Sequence, residues 1–277
     1  MSGAPRRQTV PRLKWHMLRR RKSDPPFQRT NLVAALQSDS ACEVDVVFSS
    51  DGHALCLHDR TLDRETTGHG RVIETTRADI ERLRQRGSDG SILDDAPLFL
   101  DEVVATVDAI GTPTPALVQL DIKARESDVS STALDQLATL LRGTADRFIA
   151  SAYDWGVVKR IVGAVPGLHS GFDPLAFYPR SFQLDAHGYR AVAARTLATA
   201  PDAAIYYLEA RLILAALEHG VNLIERVGVA GARIDAWTID ADHPELERIL
   251  SELVEVGCHQ ITSNDPDHLA LILDRLA

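Results

Sequence analysis

Apolar segments at strand spacing alternate with segments at helical spacing along nearly the whole chain, and about eight of the former can be counted. In a chain of 277 residues, 45% of them hydrophobic, this alternation predicts an α/β fold of the (β/α)8 barrel class, a parallel sheet closed on itself. Barrels of that class reach this length as one domain. No internal repeat, low-complexity tract or linker argues for a second. One domain over residues 12–277 is therefore expected, preceded by a loose basic arm over residues 1–11 that contains Pro5 and Pro11.

Each element has a local reason. Residues 13–18, read LKWHML, form a candidate first strand that carries His16. Residues 32–37 are a short helical stretch leading into a strand over 43–48. In that strand Glu43 and Asp45 flank Val44, so both carboxylates point to one face. Ser49-Ser50-Asp51-Gly52 reads as a turn, and a second short strand over 54–57 delivers His58 and Asp59 at its end. Apolar residues at Val72, Ile73, Ile80 and Leu83 predict helix within 71–86, with Thr76 placed to cap it before Ala78. A further helix opens in 97–103. Residues 117–123 form a strand with Gln119, Asp121 and Lys123 on one face. Helix over 131–142, strand over 148–152, helix over 157–165 and strand over 169–172 continue the alternation. Residues 175–200 carry the weakest pattern and read as a loop near Gly188 between helical pieces. Strand over 203–208, helix over 212–219 closing on Gly220, strand over 233–239 and helix over 244–256 follow, with Pro244 near the first turn. Strand 259–263 and a final helix end the chain.

The net charge of −9 excludes a general nucleic-acid binder. It is unevenly spread: Arg6, Arg7, Arg12, Lys14, Arg19, Arg20, Arg21, Lys22 and Arg29 stand against Asp24 alone at the start. Cys42, Cys56 and Cys258 lack CxxC spacing, so neither a disulfide framework nor a zinc site is indicated, and buried thiols are expected. No apolar run reaches the length of a membrane span and no signal-peptide core opens the chain, so a cytoplasmic location is expected. The oligomeric state is not legible.

The densest stretch runs from Glu43 to Gly70, EVDVVFSSDGHALCLHDRTLDRETTGHG. Hard oxygen ligands such as Glu43 and Asp45 suit Mg²⁺ or Ca²⁺, with Mn²⁺ a further choice, better than zinc. This stretch resembles the signature of the glycerophosphodiester phosphodiesterase family: an E-x-D pair, a D-G turn, then HDxTLxRxTxGxG, here His58, Asp59, Thr61, Leu62, Arg64, Thr66, Gly68 and Gly70. His16 precedes Glu43 by 27 residues, an interval like that from the family's first-strand histidine. The pattern departs from the family at Met17-Leu18, where Arg-Gly is usual, and lacks the Glu-Asn-Thr that follows. Asp121 stands where the family's Glu-Ile-Lys has its glutamate. Residues 233–240 and 260–269 resemble the family's closing segments.

The resemblance implies a phosphodiesterase-type barrel with His16 and His58 as acid–base residues, Glu43, Asp45 and Asp121 as ligands of a divalent cation, and Lys123 on the substrate phosphate. Arg19 or Arg20 is a candidate substitute for the absent arginine, and Trp237 is a candidate either to pack on substrate carbons or to fill the barrel. The implied reaction is hydrolysis of a small phosphodiester or lysophospholipid-like substrate. Two alternatives stay open: a phospholipase D or sphingomyelinase D-like enzyme that forms a cyclic phosphate, and a catalytically impaired barrel that binds phosphorylated ligands.

Overall fold

The computed structural model describes residues 10–111 and 116–276. Most of the expected basic arm, residues 1–9, lies outside the described residues. Nine strands are present among them: β1 (Arg12–Trp15), β2 (Ala41–Phe48), β3 (Ala54–Cys56), β4 (Val118–Ile122), β5 (Phe148–Ala152), β6 (His169–Phe172), β7 (Ile205–Glu209), β8 (Arg233–Trp237) and β9 (Gln260–Ser263). The chain divides into two compact units, one being Trp15–Asp173 and the other joining residues through Lys14 to those from Pro174 onward.

In the unit Trp15–Asp173, β2 pairs in parallel with β4, β4 with β5, and β5 with β6, while β3 folds back antiparallel onto β2. The hairpin is built as its residues dictate. Ser49 donates through Oγ to Asp51 Oδ1 at 2.7 Å, and Gly52 takes φ +88° where a Cβ would meet the Ala133 backbone nitrogen at 3.0 Å. Every residue of β2 is buried. Val44, Val46 and Phe48 join a core with Leu32 and Leu36 from the helix Arg29–Gln37 and with Val103 and Val107 from the helix Leu100–Ile110. Packing that face fixes the opposite one, which carries Glu43 and Asp45.

In the other unit, β7, β8 and β9 are parallel neighbours, and the Arg12 N–H donates to the His259 carbonyl at 3.0 Å. A polar pair lies wholly buried here: Lys14 Nζ is 3.2 Å from Asp235 Oδ2 and sits over the Tyr207 ring. Asp235 also accepts from Gln260 at 2.6 Å and from Thr262 at 2.7 Å. These bonds satisfy a carboxylate that burial would otherwise make costly.

Several elements differ from the sequence expectation. The first strand stops at Trp15, because Met17 and Leu18 take left-handed backbone angles and turn the chain. The helix expected within 71–86 is broken into a 3-10 turn at Val72–Glu74 and a short α-helix at Arg77–Ile80, the latter capped by Thr76 as anticipated; beyond it Gln85 bridges to Thr66 and Arg86 to Ile92. Gly188 lies inside a 14-residue helix, Ala186–Thr199, because Asp185 caps it by accepting the Gly188 N–H at 2.7 Å. Pro244 precedes its helix, which runs Leu246–Glu255, and a helix at Leu223–Val227 was not anticipated. Cys42, Cys56 and Cys258 are buried and none of the three forms a disulfide, and burial pushes the Cys258 thiol up to about 12. No helix among the described residues is long and apolar enough to cross a membrane.

Asp235→Ala leaves the Lys14 ammonium buried beside an apolar side chain. It should destabilise the fold by about 3–5 kcal/mol, the cost of stripping one partner from a buried pair, read as a lowered urea midpoint.

Candidate active site

The parallel register of β2 and β4 sets Asp45 opposite Asp121 and Glu43 opposite Gln119. As a result, Glu43, Asp45 and Asp121 each offer a carboxylate oxygen within 4.8 Å of the others. Lys123, two residues beyond Asp121, donates to Asp121 Oδ2 at 2.5 Å and pairs with Asp45 Oδ1 at 3.0 Å. On the next strand, opposite Asp121, Ser151 donates to Asp121 Oδ1 at 3.2 Å while accepting from Gln119 Nε2 at 2.8 Å. Both lobes of this half-buried carboxylate are thereby held.

Charge decides the protonation states. Burial alone would raise the Asp45 carboxyl, but Lys123, His58 and His16 hold it below the usual carboxylate range. For Lys123 burial favours the neutral amine. Asp121, Asp45 and Glu43 outweigh it and keep the ammonium charged far above an ordinary lysine's range. Three carboxylates against one ammonium leave a net charge of about −2, which a divalent cation would balance. Asp45 Oδ2 is buried with no hydrogen-bond partner among the described residues. This oxygen and the all-oxygen donor set fit a hard cation.

His16 follows β1 directly, and its Nε2 is 4.0 Å from Glu43 Oε2. The next backbone N–H, that of Met17, donates to the same Glu43 oxygen at 2.6 Å. His58, at the end of the β2–β3 hairpin, is the second imidazole that acts on Asp45. Its Nδ1 is 2.9 Å from Asp59 Oδ1. Arg64 grips Asp59 through Nε and a terminal nitrogen, both at 2.7 Å, which with His58 brings the Asp59 carboxyl down to about 2. Nδ1 of His58 is thus engaged by Asp59 and, at 3.5 Å, by a terminal nitrogen of Arg64. Thr67 and Arg84 exchange two hydrogen bonds that close the same loop.

The six residues His16, Glu43, Asp45, His58, Asp121 and Lys123 thus stand together in one unit. The Arg19 guanidinium donates to Ser88 at 2.7 Å, in the loop that follows residue 86. Trp237 ends β8, half-buried, in the other unit. Asp59 was visible as part of the HD pair, though not as the group that orients His58. Ser151 carried no signal, because only the β4–β5 register brings it to Asp121.

Comparison with known proteins bears on this arrangement. The profile of the Glycerophosphoryl diester phosphodiesterase family matches residues 33–268. The probable glycerophosphodiester phosphodiesterase 1 of Mycobacterium tuberculosis is 28% identical over 222 residues, 75% of this chain and 74% of that protein. Among solved structures, a phosphodiesterase of Oleispira antarctica in complex with the product sn-glycerol-3-phosphate superposes with a TM-score of 0.67 at 18% identity, covering 96% of this chain and 97% of that one. A glycerophosphodiester phosphodiesterase from Agrobacterium tumefaciens gives a TM-score of 0.66 at 20% identity over 94% and 99% of the two chains. This likeness shows the fold, the (β/α)8 barrel that the strand–helix alternation predicts.

Replacing Arg64 removes the main cause of the low Asp59 value. In Arg64→Gln the Asp59 carboxyl should titrate well above its parent value of about 2, nearer an ordinary aspartate's range, read by carbon-detected NMR. The parent's Asp59 contribution is present above the unfolded aspartate value of about 3.9 and fades as pH falls through about 2. In Arg64→Gln it fades at higher pH.

Proposed function

Because the chain belongs to the glycerophosphoryl diester phosphodiesterase family, we propose that it hydrolyses small glycerophosphodiesters to glycerol phosphate and an alcohol. It would do so as one barrel domain over residues 12–277, with Glu43, Asp45 and Asp121 holding a divalent cation. The observation that carries this reading is the trio of carboxylates, two of them bridged by Lys123, with two imidazoles acting on Asp45. The product bound by the Oleispira antarctica enzyme supports glycerol phosphate as one product.

A bound Mg²⁺, Ca²⁺ or Mn²⁺ would supply positive charge to the phosphoryl oxygens, where negative charge grows during the displacement. Lys123, kept charged by its carboxylates, adds a second positive charge at the same place. As the bond from phosphorus to the attacking oxygen forms and the bond to the leaving alcohol breaks, one proton must leave the nucleophile and one must reach the departing oxygen. His16 and His58 are assigned these transfers, since imidazoles titrate near neutral pH. Asp59 and Arg64 engage His58 at Nδ1, which supports Nε2 as the atom that makes that exchange. Arg19 is assigned to the phosphate end of the site from its place three residues after His16.

Treatment with a chelator should abolish turnover, and Mg²⁺, Ca²⁺ or Mn²⁺ should restore it; the ion that restores it most fully names the metal. Asp121→Ala should lose metal binding by calorimetry together with activity, while Asp121→Glu keeps both in measurable degree. Metal affinity unchanged in Asp121→Ala would remove it from the ligand set.

His58→Ala and His16→Ala should each lower kcat by roughly 10²–10⁴-fold. The double variant should lose far less than the product, as residues acting as a unit do. Phosphorus NMR of the products separates the readings: glycerol phosphate supports hydrolysis and a cyclic phosphate supports internal attack. Binding without turnover by the parent would mark an impaired barrel.

A further inference from the structure

The loop that carries His58 is clamped by a carboxylate with no part in the chemistry above. Glu65 is 6% exposed. Its Oε2 accepts two successive backbone N–H groups, those of His58 at 2.9 Å and Asp59 at 3.1 Å. Its Oε1 accepts from Arg64 at 3.2 Å, the arginine that grips Asp59. The side chain of His58 is therefore held through Asp59, and its main chain through Glu65. Arg64 ties the two together.

Glu65 itself sits on a stiff frame. Its carbonyl accepts the Arg86 N–H at 2.8 Å. The adjacent Thr66 is fully buried, donates to the Leu62 carbonyl at 2.7 Å and accepts from Gly68 at 2.9 Å. Burial raises the Glu65 carboxyl above its ordinary value, against the pull of the Asp59 N–H and Arg64. A group that only filled space here would avoid that desolvation cost as an apolar side chain. What a carboxylate gains is one oxygen that two backbone donors can share.

We infer that Glu65 is a positioning residue for His58: by fixing the His58–Asp59 backbone it sets the line along which the imidazole meets Asp59 and the reacting oxygens. The inference rests on the reading that His58 moves a proton. Misplacing a proton-transfer group by a fraction of a bond length lowers turnover and leaves ground-state binding nearly untouched.

Glu65→Met and Glu65→Gln test this in the full chain, since both fill the same space and only glutamine retains an acceptor oxygen for the two N–H groups. Glu65→Met should lower kcat by about 10-fold to 10²-fold with KM within about twofold. It should also change the ring-nitrogen signals of His58 in NMR of the histidine-labelled protein. Glu65→Gln should keep kcat within about threefold of the parent and leave those signals in place. If Glu65→Met lacks a cooperative melt, Glu65→Ala takes its place with the same expectations. A folded Met or Ala variant with the parent's kcat and unchanged His58 signals would overturn the assignment, as would a Gln variant as impaired as the Met variant. If the parent hydrolyses no glycerophosphodiester, the activity reading fails by itself. The His58 ring signals then decide on the clamp alone.

Discussion

Three carboxylates crowded on adjacent parallel strands are the constraint from which the rest of the site follows. At separations of no more than 4.8 Å between the ligand oxygens, ionised pairs repel by roughly 3 kcal/mol or more at an effective dielectric of about 20. Such a cluster persists in the fold only with positive charge among its members. Lys123 supplies part of it, bridging Asp45 and Asp121, and the residual negative charge is what makes a divalent cation a natural occupant. The backbone cannot relieve the crowding, because the β2–β4 register sets Asp45 opposite Asp121 and the valines on the other face of β2 are locked in the core. Packing on one side of a strand thus enforces electrostatic strain on the other.

The turn after β1 shows how a departure from a family pattern is accommodated. Where Arg-Gly is usual, Met17 and Leu18 both take φ above +50°, a conformation that costs a non-glycine residue roughly 1–2 kcal/mol. Leu18 is fully buried, and burying a leucine contributes about 1.5–3 kcal/mol, enough to offset the strain at its own position. The turn is also held at both ends. The Met17 N–H donates to Glu43, and the Met17 carbonyl accepts from Phe27 at 2.7 Å. His16 consequently stays beside Glu43 even though the residues after it have changed.

How much of the site was legible depended on whether a residue's role is written in its neighbours along the chain. Glu43 and Asp45 share a face because strands have period 2, and His58 lies at a hairpin end because Ser49 to Gly52 can only turn. Asp121 and Lys123 share a face for the same reason. By contrast, Ser151 meets Asp121 from a strand 30 positions away, and Glu65 reaches back to a loop whose curvature depends on Arg64, Thr66 and Arg86. Both contacts depend on how separate segments dock. The misread elements have the same origin. Helical spacing over 71–86 lost to the bridges of Gln85 and Arg86, and Gly188 was drawn into a helix by the Asp185 cap.

By itself, then, the order of residues determined the alternation of strands and helices, the class of fold, and the types of group gathered at the candidate site, because periodicity and turn chemistry are local. Only the tertiary structure decided that the carboxylates lie within reach of one another, that Lys123 bridges two of them, and that Asp59, Arg64 and Glu65 gather around the His58 segment. The reason is that distance and charge coupling depend on strand register and burial, which no single segment encodes.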